Sequence, residues 1–161
     1  MRRGLCVAAA LALAVGLTGT ACSSSDSGNK SSSSTSASTS TSATAAPVAT
    51  DQLPGLVPTP ANSQGTKGPD SIADNGIHLQ FTVNGAPSDV MAAYKAALKD
   101  KGWAVTTIVT SGGGGGGGAT YTGTNGSAYG VFDGGGFNTS TYINVCAWPT
   151  KPAEPNCVRG D

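Results

Sequence analysis

The sequence has few of the side chains on which most enzyme mechanisms depend. Its 161 residues include one histidine, His78, and one glutamate, Glu154, and only 11% of the residues are charged. A serine or cysteine nucleophile needs a base that a third group holds in place, and the sequence contains no Gly-x-Ser-x-Gly motif. We therefore expect no catalytic residues, no cofactor and no enzyme activity.

An excess of positive charge is also missing. The chain has nine basic and nine acidic residues, and removal of residues 1–21 takes away Arg2 and Arg3, which leaves a net charge of 7 − 9 = −2. Without a basic stripe, nucleic acid is excluded as a partner. His78 has no neighbours at the spacing of common metal ligands. We expect it to be a solvent-exposed strand residue, with no metal site.

The first 21 residues have the features of an export signal. Arg2 and Arg3 precede the uncharged apolar run Leu5–Leu17, which has 13 residues. A helix needs about 20 apolar residues to cross a bilayer, so the run suits a signal peptide better than a membrane span.

Residues 17–22, Leu-Thr-Gly-Thr-Ala-Cys, follow this run and are succeeded by serines. The segment resembles the signal of bacterial, actinobacterial-type lipoproteins, although Gly19 stands where that family usually has leucine. The resemblance implies that Cys22 becomes the first mature residue and carries fatty acyl chains such as palmitate, which hold the protein on the outer face of the cell membrane. Ordinary secretion after cleavage behind Ala21 is the alternative.

The cysteine count favours lipidation. Of the four cysteines, Cys6 lies in the signal peptide, and Cys146 and Cys157 can form a disulfide in an oxidising exterior. Cys22 would then remain a lone exposed thiol unless lipid is attached to it.

Composition divides the mature chain into three parts. Residues 22–50 predict a disordered linker, because positions 23–50 hold twelve serines, five threonines and no aromatic residue and cannot bury enough apolar surface to offset the entropy of ordering. Residues 51–75 predict an irregular lead-in, from which Leu53, Leu56 and Val57 can dock on the domain edge. Residues 76–161 predict the globular domain.

The domain begins with a strand and a helix. Apolar residues alternate from Ile77 to Val83, with His78 on the outward face, which predicts a half-buried strand. Pro87 suits the first helical position. Gly102 suits a left-handed C-terminal cap, with Trp103 packed back against Leu98.

The remaining elements are predicted to be strands. Ala104–Thr110 is β-branched, Gly112–Gly118 predicts a mobile loop, and Asn125-Gly126 predicts a two-residue hairpin turn that pairs Thr124 with Ser127. Tyr142–Trp148 is the last strand, with Ile143, Val145 and Ala147 inward. The core face of the hairpin is expected to hold Ala119, Tyr121, Gly123, Ala128, Gly130 and Phe132.

These elements predict an α+β fold, in which one helix packs on a roughly five-stranded, mainly antiparallel sheet in the order strand, helix, four-strand meander. The motif Tyr94-Lys95, Leu98 and Gly102-Trp103 resembles a recurrent class of small bacterial envelope domains. The resemblance implies the fold and no particular activity.

The outward face of the last strands carries the strongest candidate for a binding site. Tyr129, Val131, Tyr142 and Trp148 would form an exposed aromatic patch there. The alternative is that the patch is covered, by residues 53–57 and by a strap that contains Pro149, Pro152 and Pro155.

The function predicted from these features is a cell-surface lipoprotein with a non-enzymatic binding domain, whose partner is an envelope protein or a cell-wall glycan. One alternative is an envelope carrier or enzyme that uses a pocket between helix and sheet. The other is a structural spacer without a specific ligand.

Overall fold

Six antiparallel strands and one long helix dominate the part of the chain that the computed structural model describes, residues 46–157. The strands are β1 Ser63–Ile72, β2 Gly76–Asn84, β3 Ala104–Gly113, β4 Gly116–Asn125, β5 Ala128–Phe137 and β6 Ser140–Trp148. A 3-10 turn, Thr50–Gln52, leads into the short helix α1, Leu53–Leu56, and α2 is Pro87–Asp100. The sheet order is β1-β2-β6-β5-β4-β3. The α+β class is confirmed, but the sheet has six strands and not five.

The additional strand, β1, lies in the lead-in that was expected to be irregular, so the expectations for residues 51–75 and for a domain start at residue 76 are wrong. β1 pairs with β2 at the sheet edge, with register irregularities between Ser63 and Gly65 and between Lys67 and Asp70. Its residues are almost all exposed, so no apolar alternation marks it in the sequence. Pro69 is tolerated because it lies within an edge irregularity.

The signal peptide, Cys22 and linker residues 23–45 lie outside the described residues, as do residues 158–161. Within residues 46–157, no helix has the length and apolar character needed to span a membrane.

Helix α2 begins and ends as its sequence predicts. Pro87 is at the first helical position and Asp89 in the first turn. At the other end Gly102 has a φ of +90°, the Trp103 amide donates to the Leu98 carbonyl at 3.0 Å, and the Gly102 amide donates to the Lys99 carbonyl at 2.9 Å. This pair of bonds defines a Schellman motif, so the predicted cap is confirmed.

The main core lies between α2 and one face of the sheet, which we call the helix face. Met91, Tyr94 and Leu98 form the buried stripe of α2. The predicted inward residues of the last strand are confirmed, as Ile143, Val145 and Ala147 are fully buried. The hairpin contributes the predicted set of core residues, which are Ala119, Tyr121, Gly123, Ala128, Gly130 and Phe132.

The β4–β5 turn differs by one residue from the prediction. Asn125 pairs with Ala128, and Thr124 pairs with Tyr129 instead of Ser127. Gly126, with a φ of +60°, and Ser127 are the turn residues, an order typical of a type II′ turn. Asn125 is held in the strand because its side-chain amide donates to the Lys101 carbonyl at 2.9 Å. Each residue of β4 therefore pairs with a residue of β5 that lies two positions further along than predicted. A shift of two positions leaves every side chain on its predicted face of the sheet.

Residues before β1 complete the helix-face core. Leu53 is fully buried and Val57 nearly so, and both belong to the main core cluster, which Val48 and Leu56 also contact. The Trp103 indole Nε1 donates to the Leu56 carbonyl at 2.8 Å. The folded domain therefore includes residues 48–57, which join it at the core rather than at its edge.

The hydroxyl of Tyr94 is buried without a hydrogen-bond partner among the described residues. Its ring packs against Phe81 and Phe132, at centroid distances of 6.4 and 6.2 Å, and burial raises the pKa of Tyr94 well above its usual value. An unsatisfied buried polar group costs about 1–3 kcal/mol. The Tyr94 hydroxyl is therefore a source of instability within an otherwise apolar core.

We expect Tyr94→Phe to raise the free energy of unfolding by about 1 kcal/mol in urea titrations. Tyr121→Phe is the matched control and should lower it, because the Tyr121 hydroxyl donates to the Met91 carbonyl at 3.2 Å. Above pH 10 the unfolded wild-type chain loses the Tyr94 proton before the folded chain does, so stability falls as pH rises. Tyr94→Phe should reduce this alkaline loss, and an unchanged pH profile would contradict the account.

Candidate functional site

The sheet face opposite α2, which we call the open face, divides into a covered half and an uncovered half. The covered half lies under residues 149–157, which we call the strap. Cys146 in β6 and Cys157 at the end of the strap form a disulfide, which confirms the predicted pair. Pro152 of the strap is buried, and Lys151 Nζ lies 5.3 Å from the centroid of the Tyr129 ring.

The strap buries most of the aromatic patch that was predicted to bind a partner. Tyr129, Val131 and Trp148 are 9%, 7% and 2% exposed and form a second apolar cluster with Cys146, which Ile72 and Cys157 also contact. The Trp148 indole donates to the Ala73 carbonyl at 3.1 Å. Only Tyr142, which is 50% exposed, remains accessible. The structure therefore contradicts a contiguous exposed patch and agrees with the alternative that the strap covers it. The end of β1, and not residues 53–57, completes the cover.

The uncovered half of the open face contains a cleft of about 620 Å³. One wall of the cleft is a register row that crosses five strands, from β2 through β6, β5 and β4 to β3. We call it the polar row, and its members in that order are Gln80, Asn144, Asp133, Thr120 and Val109.

Hydrogen bonds fix the four polar side chains of the polar row. The Asn144 side chain is 5% exposed, and its Oδ1 accepts from Gln80 Nε2 at 3.4 Å and lies 3.3 Å from His78 Nε2. The Thr120 hydroxyl donates to Asp133 Oδ1 at 2.6 Å. Amide, hydroxyl and carboxylate groups are thus held along one line, which gives the cleft both donors and acceptors.

The adjacent register row supplies the floor of the cleft. It runs Tyr142, Gly135, Gly118 and Ser111, so two glycines separate an exposed aromatic ring from a serine. A Cβ at Gly118 would overlap the Gly134 carbonyl oxygen and lie 2.8 Å from Gly135 Cα. The strand backbones therefore approach closely because both positions are glycine.

The glycine run was expected to be a mobile loop, and this expectation is wrong. Gly112 and Gly113 belong to β3, Gly116 to Gly118 belong to β4, and only Gly114 and Gly115 form the turn. The run extends the sheet with side-chain-free backbone, which leaves room for a ligand above it.

We expect Gly118→Ala to lower the free energy of unfolding by about 1–3 kcal/mol, because the new methyl group meets backbone atoms that cannot rotate away. Gly112→Ala is the matched control, since a Cβ there has no neighbour within 4 Å, and its effect should stay within about 0.5 kcal/mol. Chemical denaturation measures both. Equal effects of the two substitutions would show that the β4–β5 contact does not depend on Gly118.

His78, expected to be exposed to solvent, is buried at 9% exposure. It pairs in register with Cys146, and the end of the strap lies beside it because Cys157 is bonded to Cys146. Its outward direction was predicted, and so was a proline-containing strap over this part of the sheet, but not that the end of the strap would cover His78.

A second concavity, of about 340 Å³, lies beside the first turns of α2. It includes Asp89, Val90 and Tyr94 of the helix, together with Asn62 and Asn84. This concavity is the candidate for the predicted pocket between helix and sheet.

Sequence reasoning missed five residues of the cleft, Gln80, Asn144, Asp133, Thr120 and Ser111. Gln80, Thr120 and Asn144 could be placed on the outward face of their predicted strands, but Asp133 and Ser111 lay outside the predicted strands. An outward position also does not show which residues are neighbours. The proximity of Gln80 to Asn144 depends on the pairing of β2 with β6, which are far apart in the chain.

A search of protein-family models, of curated proteins and of solved structures found no match to this chain.

Proposed function

We propose that this protein is a non-enzymatic binding module of the cell surface, and that it binds a cell-wall glycan in the cleft of the open face. The observation that carries the proposal is that the polar row lies beside a row in which the exposed ring of Tyr142 adjoins the side-chain-free backbone of Gly135 and Gly118. Binding sites of this kind use a few fixed polar groups beside an aromatic surface.

The chemistry of a sugar ring matches this arrangement. Its hydroxyls need both donors and acceptors, which the amides of Gln80 and Asn144 and the carboxylate of Asp133 provide. Its C–H faces pack on aromatic rings, and Tyr142 combines an apolar ring with a polar tip. Phe137, 59% exposed, lies one register row beyond Tyr142 through its pairing with Ser140, so a longer glycan meets a second ring.

The predicted attachment supports the same function. A diacylated Cys22 would hold the protein stably, because about 0.8 kcal/mol is gained for each buried methylene and two chains are needed. Residues 46–50 contact the domain, so the predicted linker is shortened to residues 23–45. As a flexible coil these 23 residues would span roughly 25 Å root-mean-square, which would let the domain search the wall above the membrane. The disulfide of Cys146 and Cys157 fits an oxidising exterior.

The concavity beside Asp89 favours a second candidate, an envelope carrier of a small ligand. Its lining includes Val90, Ala93 and Ala97, which suits an apolar ligand. Substitution Ala93→Trp would fill it, and loss of ligand binding in that variant but not in a cleft variant would favour the carrier.

Sedimentation with purified insoluble cell wall tests the leading proposal. We expect Tyr142→Ala to weaken binding about tenfold, because an aromatic contact contributes about 0.5–1.5 kcal/mol beyond the apolar area it buries and about 1.4 kcal/mol corresponds to tenfold in affinity. Ile108→Ala is the matched control, since Ile108 is an apolar residue at 60% exposure and does not line the cleft. Equal binding of both variants and the wild type would remove the cleft from the proposal.

A further inference from the structure

His78 and the two disulfide cysteines form a compact group of potential metal ligands. A ring nitrogen of His78 and the sulfurs of Cys146 and Cys157 all lie within 4.8 Å of one another. His78 and Cys146 are buried, at 9% and 1% exposure, and Cys157 is half-buried. The group is separate from the lining of the cleft.

Two thiolates and one imidazole are ligands that zinc prefers. Sites with two cysteines and one histidine bind Zn²⁺ and leave a fourth position open for water or substrate. Thiolate ligands also select zinc over harder cations. In the disulfide the sulfurs share a covalent bond and neither is a thiolate, so the group acquires this chemistry only in its reduced form.

We propose that His78, Cys146 and Cys157 form a zinc-binding site once a thiol reductant has reduced the disulfide. A dithiol reductant transfers two electrons and two protons to the Cys146–Cys157 disulfide, which becomes two thiols, while the reductant becomes a disulfide. Binding of Zn²⁺ then releases both thiol protons to the solvent.

The backbone suits this exchange. The Cα atoms of Cys146 and Cys157 are 5.4 Å apart, and two thiolates on one zinc lie about 3.8 Å apart, as Zn–S bonds of about 2.3 Å in a tetrahedron require. Cys146 is fixed in β6, whereas Cys157 belongs to the strap, so the strap provides the adjustment.

Asn144 supports the histidine. Its Oδ1 lies 3.3 Å from His78 Nε2, and a proton on Nε2 would be donated to it, which leaves the lone pair of Nδ1 for the metal. Such an outer hydrogen bond is the usual way in which proteins fix the tautomer of a ligating histidine.

Cobalt(II) is the probe, because thiolate-to-cobalt charge-transfer bands report sulfur ligation directly. The experiment uses the full chain with Cys6→Ser and Cys22→Ser, reduced by a dithiol and desalted without oxygen. We expect one Co²⁺ per chain with charge-transfer absorption, its displacement by Zn²⁺, and no such band in the oxidised protein. His78→Gln should weaken binding at least tenfold with the same thiol count. Thr82→Ala, on the same face of β2 and outside the lining of the cleft, should leave it unchanged.

Equal cobalt affinity of His78→Gln and its parent would overturn the site, as would equal spectra of the oxidised and reduced forms. If reduction unfolds the protein, circular dichroism still distinguishes the outcomes. Zn²⁺ should then restore the fold of the reduced parent chain, which carries Cys6→Ser and Cys22→Ser, but not the fold of the His78→Gln variant. Restoration in both proteins would also overturn the proposal. None of these readouts depends on glycan binding.

Discussion

Replacement of Trp103 by alanine should lower the free energy of unfolding by about 3–5 kcal/mol. Trp103 is 2% exposed and packs edge-on against Phe132 at a centroid distance of 5.0 Å. Its ring also covers the side-chain-free backbone at Gly123 and, together with the ring of Phe132, at Gly130. Small domains have a total stability of about 5–15 kcal/mol, so the variant should unfold at much lower urea concentration.

Two further variants separate the contributions of Trp103. Trp103→Phe keeps an aromatic ring but loses the hydrogen bond to the Leu56 carbonyl, so its effect should be smaller than that of alanine. Ile108→Ala, at an exposed position, should change stability by less than about 0.5 kcal/mol. A loss below about 1 kcal/mol for Trp103→Ala would contradict its central place in the core.

Substitution of Cys22 by serine should abolish acylation. If lipid is attached to the Cys22 sulfur, cells given labelled palmitate should label the wild-type protein and leave Cys22→Ser unlabelled. The effect is complete and not partial, because serine has no thiol to carry the thioether.

Cys146→Ser serves as the control for this experiment, because it also removes one cysteine but should retain the label. The intact mass of the membrane form should show a chain that begins at residue 22 with its acyl groups. A label that persists in Cys22→Ser, or a mature wild-type chain with a free thiol at Cys22, would contradict membrane attachment by lipid.

The helix could be predicted from the sequence because its signals are local. Pro87 at the first position, Gly102 in the left-handed region and Trp103 against Leu98 all act within a few residues of the helix. The alternation of Ile77–Val83 gave β2 for the same reason. Local chemistry of this kind does not depend on what lies across the sheet.

Edge and turn details could not be predicted, since they depend on distant partners. β1 is exposed along almost its whole length, so it has no apolar alternation to detect. The β4–β5 turn moved by one residue because Asn125 bonds to the end of α2, a contact between segments 24 residues apart in sequence. The favourable Asn-Gly turn signal was therefore overridden by tertiary structure.

The candidate site could not be predicted because it is formed by residues that are still further apart in the sequence. The sequence shows that Asn144 and Gln80 point away from the core, but only the β2–β6 pairing places them side by side. Likewise, Trp148 and Tyr129 were assigned to the correct face, yet the disulfide-linked strap buries them. The face of the sheet to which each side chain points could be predicted from the alternation of apolar residues. Its exposure to solvent could not, because it depends on the position of the strap, whose sequence shows no such alternation.

Nuclear magnetic resonance titration with soluble cell-wall oligosaccharides tests the cleft most directly. The account predicts shift changes at the side-chain amides of Gln80 and Asn144 and at the backbone amides of Gly118 and Gly135, and their loss in Tyr142→Ala. Shift changes centred on Asp89 and Val90, or no changes at saturating oligosaccharide, would contradict a glycan site on the open face.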